Sequence, residues 1–327
     1  YTTEASAADI EDLRAALGID QWNIVSAGYG SRLAAILMRD HPQSIRSVVM
    51  DSPLPPQGNL YLDQAMSAQQ ALAEFFKSCT SDPACNQAYP DLENNFYNLV
   101  YALNASPLSV PVSDLSAGKR YDILLDGDRL LDITLNAIRS ERMQVLSVLP
   151  RIVFQLQNGK TQQVAETLGS MTNSLIQAAA GLNLLVSCRD QFNQATPDQI
   201  QQANSQAAPQ LGDYFNHQLE YLQAACEIWK TNAPAEKMAP VLSSIPVLVL
   251  SGSYGWSMPP AWAKQVAGGL SRSTLVEFAG GGQTVTTSQR WSDCAGKIVS
   301  AFLSDPQARP DTGCTQEKKP VEWITVP

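Results

Sequence analysis

Apolar positions fall into two kinds of run along this chain, and the order of those runs sets the architecture. Ile10, Leu13 and Leu17 recur at helical spacing over 6–17, with Gly18 as the stop. Trp22-Asn23-Ile24-Val25 has the length and character of a strand, and the stretch 31–39 that follows is helical until His41-Pro42 ends it. Ile45 to Met50 reads as a second buried strand, closed by Asp51 and the cluster Pro53, Pro55 and Pro56. From 57 to 239 the pattern changes to Ala, Gln, Asn and Leu, which predicts helices with little strand signal. Strand–helix alternation returns with a strand over 245–250, a helix over 260–266, a strand over 274–278 and a final helix over 288–303.

Short apolar strands alternating with helices predict an α/β fold, a parallel sheet covered by helices on both faces. The helical stretch between the second and third strands reads as a cap inserted over the sheet's functional edge. Ligands in such sheets bind beyond the carboxyl ends of the strands. The chain divides accordingly into 1–56, the first part of the core, 57–240, the cap, and 241–327, the second part of the core with its tail.

Composition sharpens this picture in two ways. A formal net charge of −9 disfavours nucleic acid and anionic membrane surfaces as partners. No apolar run approaches the ~20 residues that span a bilayer. The chain opens on Tyr1 and not on Met, which raises the expectation that an upstream segment has been removed. The cysteines are Cys79, Cys85, Cys188, Cys226, Cys294 and Cys314, with no Cys-x-x-Cys pair and only two histidines, a pattern that argues against zinc. No metal and no cofactor is called for. Spacing favours a short Cys79–Cys85 bridge and a Cys294–Cys314 bridge that pins the tail, leaving Cys188 with Cys226. The competing reading is six buried free thiols in a cytosolic protein; three disulfides would place the chain outside the cytoplasm.

The chemistry concentrates at Ser26-Ala27-Gly28-Tyr29-Gly30, between the first strand and its helix. Strand, sharp turn and helix in that order form a nucleophile elbow, where small residues flank a serine. Here the central residue is Gly28. An elbow residue sits in a backbone conformation that costs a non-glycine residue on the order of 1–3 kcal/mol. Glycine adopts positive φ without that cost, so the turn survives while the nucleophile is gone.

Further pieces recur in order along the chain: Tyr29-Gly30-Ser31-Arg32-Leu33, Val48-Val49-Met50-Asp51, Cys79…Asp82-Pro83-Ala84-Cys85, Cys188-Arg189-Asp190, Cys226…Trp229, Met258-Pro259-Pro260-Ala261-Trp262 and Cys294…Cys314. On these the chain resembles the secreted tripeptidyl and prolyl aminopeptidase-like α/β-hydrolases. The resemblance implies the C-terminal half of an α/β-hydrolase fold, with the fold's N-terminal strands absent from this chain, and it implies the same three cysteine pairings. It also implies a partner: an N-terminal fragment or separate chain that completes the sheet beside the Trp22 strand. The serine, acid and histidine of the family's triad map to Gly28, Gly255 and Gln283, all three substituted. None of these replacements can attack, take a proton or orient a base.

Other residues are weighed as substitutes. Ser26 reads as a packing residue and Ser31 as a helix cap. Asp51 could orient a base, against the simpler reading of a strand-end carboxylate. His41 lies in a helix-ending loop and His217 in the cap, each more simply an ordinary surface histidine. Asp213, Glu220 and Glu227 could receive a free amino terminus, against the reading of a solvated acidic helix face. The resulting expectation is a secreted pseudoenzyme that binds a peptide, a small ligand or a protein partner. The alternatives are a serine peptidase or esterase with an unrecognised catalytic set, and a structural subunit of an extracellular assembly.

Overall fold

Period-two alternation inside the strands decides how the sheet is covered. In the computed structural model, which describes residues 2–114, 119–161, 163–164, 180–229, 239–317 and 320–325, β1 (Trp22–Ala27), β2 (Ile45–Asp51), β5 (Val247–Gly252) and β6 (Ser273–Phe278) form one parallel sheet in the order β1-β2-β5-β6. Val48, Met50, Val247 and Val249 face one side, against α1 (Thr3–Ala16), α2 (Tyr29–Asp40) and α12 (Pro260–Gly269). Val49, Leu248 and Leu250 face the other, against α13 (Ser292–Ser304). Both faces of the central strands are therefore buried, which is why they read as continuous apolar runs. The elements lie within a few residues of the positions read from sequence, and Gly18, with φ 66°, follows α1 as its stop. The final helix begins at Ser292, because 285–287 form a separate 3-10 turn.

Between β2 and β5 lies an inserted block of α3 (Leu60–Thr80), α4 (Pro83–Ala88), α5 (Leu92–Ala105), a hairpin of β3 (Leu108–Asp114) and β4 (Lys119–Leu125), α6 (Gly127–Arg139), α7 (Met143–Leu146), α8 (Leu149–Gln157), α9 (Ala180–Asp190), α10 (Pro197–Asn204) and α11 (Pro209–Trp229). The hairpin departs from the helical reading of 57–239. Pro111 in β3 interrupts the strand signal, and edge strands tolerate a proline that central strands do not. Residues 115–118, 162, 165–179 and 230–238, also read as part of this block, lie outside the described residues. The block has its own core, in which Phe75, Phe76, Phe96, Leu130 and Leu146 are buried.

All three disulfides expected from the sequence form: Cys79–Cys85, Cys188–Cys226 and Cys294–Cys314. After the last of them the chain crosses back to the inserted block. Trp323 packs edge-on against Phe75 with ring centroids 5.6 Å apart, Ile324 N–H donates to Ser147 O at 3.0 Å, and Tyr89 Oη donates to Ile324 O at 2.7 Å. The tail thus ties the C-terminal element to the block as well as to α13.

A second tie runs through Arg32 of α2, which has 0% exposure. Its guanidinium donates to Pro55 O (3.0 Å), Pro56 O (2.9 Å), Gly58 O (2.7 Å) and, from α9, Asp190 O (3.1 Å). Thr3 Oγ1 donates to Asp190 Oδ2 at 2.7 Å and also bonds Tyr29 Oη at 2.7 Å. The elbow helix, the proline loop, α1 and the inserted block therefore meet at one buried polar cluster.

Candidate active site

Parallel strands place their carboxyl ends together, so the loops after β1, β2, β5 and β6 share one edge of the sheet. Gly28 is the N-cap of α2 with φ 51° and ψ −121°, a conformation few residues other than glycine adopt. Its N–H donates to Asp51 O at 3.0 Å, and its carbonyl accepts from Ser31 N–H at 3.0 Å. A Cβ built on Gly28 would lie 3.5 Å from Gln283 Nε2. The amide is fixed from its other side, since Ser257 Oγ donates to Gln283 Oε1 and Gln283 N–H donates to Arg139 O at 2.7 Å.

Gly255 lies in the loop after β5, with Gln283 Cα 3.3 Å from where its Cβ would stand. The structure therefore brings Gly28, Gly255 and Gln283 together around one point. The loops after β5 and β6 can approach because Gly252 has no side chain: a Cβ there would meet Gly282 O at 2.1 Å. Tyr254 N–H donates to Gly281 O at 2.8 Å, and Ser253 Oγ bridges from Gly280 N–H (2.7 Å) to Glu74 of the inserted block.

The substitutes weighed from sequence have other occupations. Ser26 Oγ donates to Val49 O at 2.8 Å, and its Cβ lies 3.6 Å from where a Gly30 Cβ would be, the tight strand–helix packing expected of it. Ser31 is buried, with Ser26 Oγ 3.4 Å away. His41 caps the far end of α2, about 18 Å from Gly28 at 1.5 Å per residue. His217 pairs with Asp128 at 2.6 Å on the surface of the inserted block, its side chain 59% exposed. Asp213, Glu220 and Glu227 are exposed on α11.

Asp51 is buried and accepts from Val285 N–H (3.2 Å), Thr286 N–H (2.9 Å) and Thr286 Oγ1 (2.7 Å), so it fixes the loop that carries Gln283. Burial pushes its carboxyl above the usual range, and the hydrogen bonds offset only part of that. Sequence reasoning missed Glu141. It is buried with φ 50°, accepts from Ser288 Oγ and from Gly282 N–H (3.3 Å), and pairs with Arg290 from the opposite side. Beside it, Arg139, Ser140, Gln283, Thr284 and Thr287 line a polar cavity of about 210 Å³. Among the described residues no cluster of His, Cys, Asp and Glu could hold a metal ion.

These charges predict a pH dependence of stability. Burial raises the carboxyls of Asp51, Asp132 and Asp190, so each binds its proton more tightly folded than unfolded. Their contribution grows as pH falls through the folded-state pKa and is lost as pH rises. The hydrogen bond to Asp128 raises His217, whose contribution is likewise present at lower pH and lost as pH rises through its folded value. The thermal midpoint is therefore expected to be higher at about pH 5.5 than at about pH 8, with Asp51→Asn flattening the slope. A midpoint that rises toward pH 8 would refute this.

Comparison with known proteins agrees with this geometry. The family model of the α/β hydrolase fold matches residues 1–122, and that of TAP-like proteins matches residues 212–314. The fold is that of an α/β hydrolase, and the C-terminal segment is similar to TAP-like proteins. YuaR of Escherichia coli (strain K12), which carries a hydrolase name, is 26% identical over 324 residues, covering 94% of this chain and 61% of YuaR. The serine protease Hip1 of Mycobacterium tuberculosis (strain ATCC 25618 / H37Rv) is 28% identical over 82 residues, 24% of this chain and 16% of Hip1. Among solved structures, the α/β hydrolase MGS-M2 from a Medee basin deep-sea metagenome library superimposes with a TM-score of 0.40 at 14% identity, over 95% of this chain and 74% of that one.

The TAP-like segment carries Gly255, Gln283 and the Cys294–Cys314 bridge, and the α/β-hydrolase match carries Gly28 and Asp51. The second match corrects one expectation. It runs from residue 1 through α1, the elbow and β2, which conflicts with the reading that the fold's N-terminal strands are absent from this chain. The docked fragment or partner chain invoked to replace those strands has no support in the structure.

Proposed function

We propose that this chain is a hydrolase-fold protein that has kept the geometry of a peptidase site without its reactive groups and uses the cleft for binding. The observation that carries this reading is the approach of Gln283 Nε2 to within 3.5 Å of the Cβ position of Gly28. Nucleophile and base positions face each other as a triad requires, yet neither holds an atom that can attack or accept a proton. The two histidines of the chain lie on α2's far end and on the inserted block, so no imidazole reaches the elbow. The inserted block serves in this reading as a cap over the cleft, and the ligand is a peptide, a small molecule or a protein segment. Three disulfides, with no membrane-crossing helix among the described residues, fit an extracytoplasmic site of action.

The names of YuaR and Hip1 favour a second reading, in which the fold hydrolyses esters or peptides through another residue set. Turnover assays separate the two. Purified protein is expected to release nitrophenol from p-nitrophenyl acetate, and nitroaniline from alanine and proline p-nitroanilides, no faster than buffer. Saturable turnover that is lost on replacing a serine of this chain would establish the second reading instead.

A further inference from the structure

A second cavity, of about 230 Å³, lies between α3, α11 and the loop after β5, and neither Gly28 nor Gln283 lines it. Its walls are the rings of Tyr61, Tyr214, Phe215 and Trp256 with Leu222. Phe215 packs on Trp256 with centroids 5.8 Å apart and edge-on to Tyr214 at 4.9 Å. The polar atoms of Trp256 and Tyr214 are engaged elsewhere. Trp256 Nε1 donates to Leu135 O at 2.8 Å, and Tyr214 Oη donates to Asp132 Oδ1 at 3.3 Å. What they present to the cavity is apolar ring surface.

Gln64 interrupts that surface. It lines the cavity at 7% exposure. A carboxamide set in an otherwise aromatic wall is the one lining group there, apart from the exposed rim, that can hydrogen-bond a ligand substituent. Exposed Tyr221 and Gln218 also line the cavity, so it opens to solvent. A dry cavity of about 150 Å³ accepts benzene, so this volume accommodates one ring and a substituent. An apolar pocket with a single placed polar group is the ordinary design of a small-molecule site.

We propose that this cavity binds a single neutral aromatic ring carrying one hydrogen-bonding substituent, a phenol or an indole, with Gln64 reading the substituent and Tyr61, Tyr214, Phe215 and Trp256 enclosing the ring. The site is independent of the elbow and goes beyond the function proposed above, since occupancy here requires nothing of Gly28 or Gln283.

Calorimetric titration of the full chain with p-cresol and with toluene, its hydroxyl-free isostere, tests the assignment. Wild type is expected to bind p-cresol about fivefold more tightly than toluene, the preference one hydrogen bond supplies. Gln64→Leu should bring the two ligands within about twofold of each other, and Leu222→Trp should abolish binding of both with the circular dichroism spectrum unchanged. Ligand-induced shifts of the Leu219 and Leu222 methyl resonances in wild type locate the site without any variant. Absence of p-cresol binding, equal affinity of wild type for the two ligands, a preference that survives Gln64→Leu, or methyl shifts confined to other regions would each overturn the proposal.

Discussion

Arg32→Ala is expected to destabilise the protein by about 3–5 kcal/mol, the cost of removing one member of a buried charged cluster. The guanidinium is the shared donor of four carbonyls drawn from two segments, the proline loop and α9, and none of them has solvent to fall back on. Asp190 and Tyr29 lie within its electrostatic reach, so the variant also removes one of the two cations beside the buried Asp190 carboxylate, Arg189 at 3.5 Å being the other. At this chain length the loss corresponds to a fall in thermal midpoint on the order of 5–10 °C. Arg32→Lys should recover only part of it, because an ammonium cannot reproduce the planar fork that spans these carbonyls. A midpoint within about 1 °C of wild type for Arg32→Ala would show that the cluster does not hold the inserted block to the elbow helix.

The second large effect is a gain. Gly28→Ser, Gly255→Asp and Gln283→His in one chain should create esterase activity toward p-nitrophenyl acetate at least about a hundredfold above wild type, the lower range of what a positioned base contributes. The serine would enter a turn already held at φ 51°, and its Cβ would stand 3.5 Å from the present amide nitrogen, within reach of an imidazole placed there. Position 255 is tighter, with Gly252 O and Met258 O 3.1 and 3.2 Å from the new Cβ, so the loop must yield by a few tenths of an ångström. The double variant lacking Gly255→Asp should be slower, since nothing then orients the imidazole. A folded triple variant with no activity would mean that these three positions do not correspond to a catalytic triad.

How much of this was legible in the sequence differs by element. The two central strands were, because each is buried on both faces and carries an apolar run, Val48-Val49-Met50 in β2 and Val247-Leu248-Val249-Leu250 in β5. The elbow was legible because small residues on either side of Gly28, set between a strand and a helix, are what so sharp a turn demands. Arg32 was not, since an arginine in an amphipathic helix ordinarily points to water, and only tertiary packing turns it inward. Glu141 and Ser52 adopt positive φ (50° and 51°), which their residue types do not advertise. The docking of Trp323 onto Phe75 joins residues far apart in sequence through a tail with no periodic signal. Gln64 lay hidden for the same reason, as one polar residue in a helix rich in Ala and Gln.

Intact-protein mass spectrometry after incubation with a fluorophosphonate probe tests the central claim most directly, because the reagent reads an activated serine whatever its position. With Gly28 at the elbow and no imidazole near it, the chain should remain unmodified after an incubation that labels an active serine hydrolase to completion. A stoichiometric single adduct, on Ser26, Ser31 or any other serine, would show that a working nucleophile is present and would contradict the account.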